Sequence, residues 1–366
     1  MIDLFVLIIF CCFLANQITI YSKKYDNVWL ATKKNANVKI MYFILLVALV
    51  LFSGLRTSYN DTRTYMQAYT FLEVGKMDLS ILQEEYGGFM LFQKLLKKYI
   101  SEDPQVLIFS SAVLINILYL WFFAKHSSRF DITLFAYFIL GPYVFSMAGV
   151  KQAIAMAIAL LAIDNLLKKR YLKFALWILV AMTFHPYIIC MLVLPLLFKG
   201  IWTPRMLGVF VLITIISSNL ELLLGFAGLI GKDYSLLEMT SYTINPVRVM
   251  VEVIPVLISF FCRKKLKESH DKFLNLGINM MIINAIMISL GLFLNPIYFG
   301  RIGTYFSTIN AVIVPQMLNK VMKKNGRYKL NLLIYYGVYA VHFVLDMTKL
   351  GSISISYDFF KHIGLF

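Results

Sequence analysis

The chain has 366 residues, 60% of them hydrophobic and only 15% charged, with a mean hydropathy of +0.75. A water-soluble domain carries about 25% charged residues, so this composition excludes a soluble globule and leaves room for roughly ten to twelve spans of about 20 residues. Thirty-five Lys and Arg against 19 Asp and Glu give a net charge of +16, which in so apolar a chain reads as basic cytoplasmic loops and not as a nucleic-acid partner.

Apolar runs bounded by charge or proline predict an all-α polytopic membrane protein, a single integral domain over residues 1–366. Its spans fall near 2–21, 39–55, 105–124, 131–148, 150–167, 171–185, 186–198, 206–230, 247–262, 273–294, 302–319 and 330–347. The first carries Asp3 and lacks both a basic leader and an A-x-A site, so it reads as a retained span and not a signal peptide. The fourth contains Gly141-Pro142, which predicts a break, and the seventh is short enough to be re-entrant. Cys11, Cys12, Cys190 and Cys262 lie in or beside apolar runs with no CxxC spacing, which argues against a disulfide framework or a metal site.

Charge fixes the predicted orientation. Placing the Lys23 to Lys39 loop in the cytoplasm also puts there Lys125 and Arg129, Lys168 to Lys173, Lys199 and Arg205, Arg263 to Lys272, and Lys320 to Lys329. That accounts for 23 of the 35 basic residues and leaves both termini outside. The outer loops are the unusual ones. The longest, about 56–104, holds seven acids, many aromatics and an amphipathic stretch, GGFMLFQKLLKKY, suited to lie along the interface. A shorter one spans about 231–247. Loops rich in specific polar and aromatic residues carry function, so the working face is predicted to be the outer one. No internal repeat is visible, which counts against a transporter built from duplicated halves.

Among the cations left on the outer side, Arg56, Arg63, Lys151, Arg248 and Arg301 fall at or near outer ends of spans. A cation there needs a partner, and a phosphate matches the planar arginine fork. Local pairing is the plainer alternative, as Glu252 stands one helical turn from Arg248. Arg56, Asp61 and Tyr65 follow directly on the second span, an acid and a phenol suited to sugar hydroxyls beside a cation. His185 ends the sixth span and precedes Pro186, where an imidazole takes a proton near neutral pH. His342, one turn from Asp346, is a rival base.

Three segments together resemble the EpsG-type family of Wzy-like bacterial polysaccharide polymerases. They are GLRTSYNDTRTYMQAY, then AGVKQAIAMAIALLAIDNLLKKRYLKFALWILVAMTFHPYII with its Lys151-Gln152 opening and Phe-His ending, and FGRIGTYFSTINAVIVPQM with Arg301 and Tyr305. Lys151 departs from the arginine the family pattern favours and loses the bidentate fork.

The resemblance implies a GT-C-like glycosyltransferase in the bacterial cytoplasmic (inner) membrane, working at the periplasmic or exterior face. It would join undecaprenyl-diphosphate-linked repeat units, as in O-antigen, by inverting transfer without metal or cofactor. The implied partners are the lipid-linked glycan donor and acceptor, membrane lipids and a chain-length regulator protein. Catalytic candidates are His185 and Asp61. Substrate-binding candidates are Arg56, Arg63, Tyr65, Lys151, Gln152, Arg248, Glu252, Arg301 and Tyr305. An O-antigen ligase shares this chemistry. A flippase or exporter of lipid-linked oligosaccharide, or a membrane O-acyltransferase, belongs to a different class.

Overall fold

The computed structural model describes residues 2–75, 77–218, 244–294, 296–322, 328–349 and 353–356. Helices α1 (Ile2–Tyr21), α2 (Val28–Lys34) and α3 (Ala36–Gly54) lead to a short strand β1 (Arg56–Ser58), then α4 (Thr62–Thr70) and α5 (Gly87–Tyr99). There follow α6 (Gln105–His126), α7 (Phe130–Ile139), α8 (Pro142–Ala148), α9 (Val150–Leu167), α10 (Tyr171–Phe184), a 3-10 segment Pro186–Phe198 and α11 (Pro204–Ser218). The described chain resumes with α12 (Pro246–Phe261), α13 (Arg263–Lys267), α14 (Lys272–Leu290), α15 (Pro296–Phe306), α16 (Asn310–Met322), α17 (Tyr328–Lys349) and β2 (Ser354–Ile355).

Five of these helices, α1, α3, α6, α9 and α14, are long and apolar enough to cross a membrane; α7 and α8, bent by 46°, make a sixth if taken as one broken span. Against the twelve predicted spans, the described residues hold five or six helices of sufficient length, together with shorter apolar ones such as α10 and α17. Gly141, at φ 90°, makes the predicted break between α7 and α8. The predicted span at 206–230 leaves the described residues after 218, and most of the predicted outer loop at 231–247 also lies outside them.

The predicted span at 302–319 is two helices, α15 and α16, and not one. The reason is chemical. Thr304, Ser307 and Thr308 turn their hydroxyls back onto the carbonyls of Gly300, Thr304 and Tyr305 at 2.6 to 2.8 Å, supplying locally the hydrogen bonds that a helix break would otherwise leave open in an apolar setting. The seventh predicted span is the 3-10 segment. At about 2.0 Å rise per residue a 3-10 helix travels further than an α-helix of equal length, so 13 residues reach about 26 Å.

At the centre stands α9, whose alanines at 153, 155, 157, 159 and 162 are all buried. Small residues let neighbouring helices approach closely, and α6 and α10 pack against it. Its far end is neutralised internally: Asp164 receives Lys125 and Lys168 at 2.5 Å and His126 at 2.9 Å. Lys320 meets Asp271 at 3.0 Å. At the other end β2 pairs antiparallel with β1, Arg56 opposite Ile355 and Ser58 opposite Ser354. That clasp ties the chain beyond α17 to the turn after α3.

Gly277 on α14 lies so close to Ile313 of α16 that an added Cβ would stand 2.2 Å from its side chain. Overpacking of this kind costs about 1–3 kcal/mol. Gly277→Ala is expected to lower thermal stability in detergent, and a melting curve equal to that of the unaltered chain would show that the two helices separate easily.

Candidate functional site: a charged cavity at one end of the bundle

A cavity of about 810 Å³ lies at the end of the bundle opposite Asp164, within the size range of ligand pockets. Its walls come from distant parts of the chain: Tyr59, Asn60, Asp61 and Tyr65 after β1; Tyr86 before α5; Lys151 and Gln152 opening α9; and His185 after α10. Arg248 and Glu252 of α12, Asn284 of α14, Arg301 of α15, and Tyr339, His342 and Asp346 of α17 complete it. The sequence candidates Asp61, Tyr65, Lys151, Gln152, His185, Arg248, Glu252 and Arg301 thus share one space. So does the rival pair His342 and Asp346.

Three helices begin at this wall: α9 at Gly149, α12 at Asn245 and α15 at Pro296. Unpaired amides and the aligned peptide dipoles make a helix N-terminus favourable to anions. Side-chain cations add to this field. The Lys151 ammonium sits 4.1 Å from the centre of the Tyr86 ring and 5.4 Å from that of Phe89, a cation-π arrangement. Gln152 donates to the Arg301 carbonyl at 2.9 Å, joining α9 to α15. Arg248 and Arg301 are exposed, and neither has a carboxylate at ion-pair distance among the described residues. The local Arg248–Glu252 pairing is not made as a salt bridge there. Glu252 instead accepts from the Asn284 amide at 2.7 Å.

Two of the predicted cations do not line the cavity. Arg56 is 2% exposed and turns inward. Its guanidinium donates to the Ser53 carbonyl and, at 3.1 Å, to the Thr62 hydroxyl. Gln105 in turn donates to the carbonyls of Gly54 and Arg56 at 2.6 and 3.0 Å. Burial lowers the Arg56 pKa to about 10, which still leaves it charged at neutral pH. It therefore braces the loop that carries Tyr59, Asp61 and Tyr65 and does not line the cavity. Arg63 is exposed on α4 and also lies outside the cavity wall. Burial raises the Tyr65 hydroxyl to about 12, with the Lys151 backbone amide acting in the opposite direction, so Tyr65 serves as a neutral hydrogen-bonding group against the start of α9.

His185 is 5% exposed and joins α10 to the 3-10 segment in extended backbone. Pro186 blocks continuation of the α-helix, as its missing N–H and ring require. Tyr86, Tyr187 and Tyr305 surround the imidazole with ring centres at 5.7, 5.7 and 5.9 Å. Its Nδ1 lies 2.5 Å from the Tyr305 hydroxyl. Tyr305 itself is enclosed behind His185 and does not line the cavity. On α17, His342 Nδ1 stands 3.5 Å from the Asp346 carboxylate.

Sequence reasoning missed Tyr86 and Asn284. Tyr86 has φ 58°, a left-handed conformation uncommon for a residue with a side chain. Gly87 and Gly88 follow it because a Cβ at either would strike Ile81 or Thr183. That glycine pair was the available signal for a tight entry into α5. Asn284 is an amide deep in an apolar span, and a polar group so placed is a functional candidate by default.

These features define a multi-pass helical membrane protein with a ligand-sized cavity at one end, lined by cations, acids and aromatic rings. The chain belongs to the EpsG family, whose profile matches residues 39–361. It is accordingly a membrane protein of the polysaccharide-polymerase type, glycosyltransferase-like in its chemistry. No curated protein and no solved structure matches it.

The inward position of Arg56 separates it from the cavity cations. Loss of a hydrogen bond to a charged donor costs roughly 1.5–3 kcal/mol. Arg56→Ala is therefore expected to reduce the yield of folded protein, as read by size-exclusion chromatography in detergent, whereas Arg301→Ala is expected to leave that yield unchanged. Equal yields for both would mean that Arg56 does not brace the loop.

Proposed function

We propose that this chain is a bacterial polysaccharide polymerase that joins undecaprenyl-diphosphate-linked repeat units in the cavity, by inverting transfer without a metal ion. The observation that carries this reading is the meeting of Lys151, Arg248 and Arg301 with three helix N-termini around one ligand-sized space. The donor's glycosidic bond breaks as negative charge builds on the departing diphosphate. Fixed cations and amides aimed at that charge, in a site of low dielectric, lower the barrier. Lys151 supplies charge without the arginine fork, and its stacking on Tyr86 fixes where that charge sits. Asp61, Tyr65, Gln152 and Glu252 offer acceptors and donors for sugar hydroxyls along the same wall. The acceptor is a second lipid-linked glycan, and both lipids reach the cavity from the bilayer.

In this reading the protein is a single GT-C-like domain of about twelve crossings in the cytoplasmic membrane, working at the periplasmic or exterior face, with a chain-length regulator as a further partner. The orientation rests on the basic loops gathered at the Asp164 end. Against a membrane transporter of lipid-linked glycan, the cations cluster at one end and do not follow a path through the bundle. An O-antigen ligase would use the same donor, so the product separates the two.

The test uses cells whose own copy is replaced by variants. Arg248→Ala and Arg301→Ala are each expected to abolish long glycan while single-unit glycan persists, with Arg→Lys restoring part of it because charge returns without the fork. A normal glycan ladder from both alanine variants would remove the support for the diphosphate site, and loss of all glycan from the final acceptor, single units included, would identify a ligase.

Orientation is tested with single cysteines in a chain whose four native cysteines are replaced. Asn60→Cys is expected to react with an impermeant reagent from outside and Lys169→Cys only after permeabilisation. The reverse pattern would place the cavity on the cytoplasmic side.

A further inference from the structure

Given that glycosyl transfer occurs in this cavity, we propose that His342, held by Asp346, takes the proton from the acceptor hydroxyl, and that His185 serves on another part of the wall as a hydrogen-bond donor. This exchanges the roles expected from sequence, where His185 was the first choice of base.

The argument begins with Tyr305. Its hydroxyl is fully enclosed, and among the described residues its hydrogen-bond partner is His185 Nδ1 at 2.5 Å. Buried hydroxyls mostly find an acceptor for their proton, and Nδ1 is the acceptor within reach of this one. A phenol holds its proton far more tightly than an imidazolium does, so Tyr305 donates and Nδ1 accepts. A neutral imidazole has one acceptor nitrogen and one donor nitrogen. With its lone pair at Nδ1 engaged by Tyr305, His185 carries its proton on Nε2, and it has no second lone pair with which to act as a base. An Nε2–H at a cavity wall is instead suited to donate to a phosphate or sugar oxygen.

His342 has the opposite arrangement. Asp346, when ionised, only accepts, and it stands 3.5 Å from Nδ1, an ion-pair contact longer than a formed hydrogen bond that favours the ring proton on Nδ1 and the lone pair on Nε2. That Nε2 is buried and has no hydrogen-bond partner among the described residues, and since His342 is part of the cavity wall, a small turn of the ring is what brings Nε2 to an acceptor hydroxyl. Hydrogen bonds of catalytic groups are often long before substrate binds and tighten in the complex. The clasp between β1 and β2 holds the chain just beyond α17 beside the loop bearing Tyr59 and Asp61, so His342 and Asp346 share the wall that offers groups to a sugar.

In the step itself, the acceptor O–H bond breaks and its proton passes to His342 Nε2. The acceptor oxygen forms the new bond to the anomeric carbon of the donor. The bond from that carbon to the diphosphate oxygen breaks, and its electron pair leaves with the diphosphate. The imidazolium of His342, stabilised by Asp346, then returns its proton to water.

The test measures the initial rate at which membranes carrying each variant convert the host's own lipid-linked repeat units to polymer, normalised to folded protein. His342→Gln and His342→Gly are expected to lose about 100 to 10,000-fold, with added imidazole restoring part of the rate to His342→Gly. His185→Gln is expected to lose no more than about tenfold, because its amide can accept from Tyr305 and donate to the cavity as the imidazole does. Asp346 is a positioning residue. Asp346→Ala should lower the rate with little change in the substrate concentration needed for half-saturation, and Asp346→Glu should recover much of it.

Loss in His185→Gln with near-normal His342→Gln would overturn the assignment. Near-normal rates in all His342 variants alongside an inactive Arg301→Ala would overturn it while leaving the diphosphate site standing. An active Arg301→Ala would remove the site reading itself. A second measurement needs no variant: nitrogen NMR of ¹⁵N-histidine in the unaltered protein should show His185 protonated on Nε2 and His342 on Nδ1. The reversed pair of tautomers would contradict the proposal.

Discussion

The architecture of the cavity depends on a guanidinium kept out of water. In an apolar surrounding a charge persists only if protein groups replace its hydration, and Arg56 obtains them from the end of α3 and the start of α4. The same corner is held from α6 by Gln105, which binds the carbonyls on either side of Leu55. This network converts a flexible junction after an apolar helix into a fixed turn. From that turn Tyr59, Asp61 and Tyr65 reach the cavity, and β1 offers its edge to β2. The pairing then carries the constraint across to α17, whose final turns bear His342 and Asp346.

The two ends of the bundle handle charge differently. Near the basic loops, Asp164 is surrounded by Lys125, Lys168 and His126, and Lys320 meets Asp271. Lys125, Lys168 and Lys320 there each have an acid partner. At the cavity, Arg248 and Arg301 lack a carboxylate at ion-pair distance among the described residues, and three helix N-termini add their partial positive charge to the same space. Asp61, Glu252 and Asp346 line the same space as Lys151, Arg248 and Arg301, so the wall carries fixed charges of both signs beside a low-dielectric core, where each acts strongly on a ligand. The proposed diphosphate site rests on the convergence of Lys151, Arg248, Arg301 and three helix N-termini on one ligand-sized space.

Much of this was legible in the sequence. Composition alone established a helical membrane protein, the Gly141-Pro142 dipeptide located the bend between α7 and α8, and cations at span ends pointed to Lys151, Arg248 and Arg301. The span count was less legible, because hydropathy registers an apolar run whether it forms one helix or, as at α15 and α16, two short helices joined by back-bonded hydroxyls. Arg56 misled for a related reason: a cation at the end of a span looks the same in sequence whether it reaches outward or folds under the turn. Tyr86 and Asn284 carried only local signals, a glycine pair and a lone amide. The tautomers of His185 and His342 lie beyond any sequence pattern, since each follows from a partner 120 residues away in one case and one helical turn away in the other.

The central claim is that the cavity cations hold a lipid-linked diphosphate. Its most direct test is the structure of the protein in lipid nanodiscs, determined by electron cryomicroscopy with undecaprenyl diphosphate added. The account predicts diphosphate density bounded by Lys151, Arg248 and Arg301, with the lipid tail leaving between helices toward the bilayer. A cavity without density at a lipid concentration that gives saturable binding, or diphosphate bound at the Asp164 end, would contradict it.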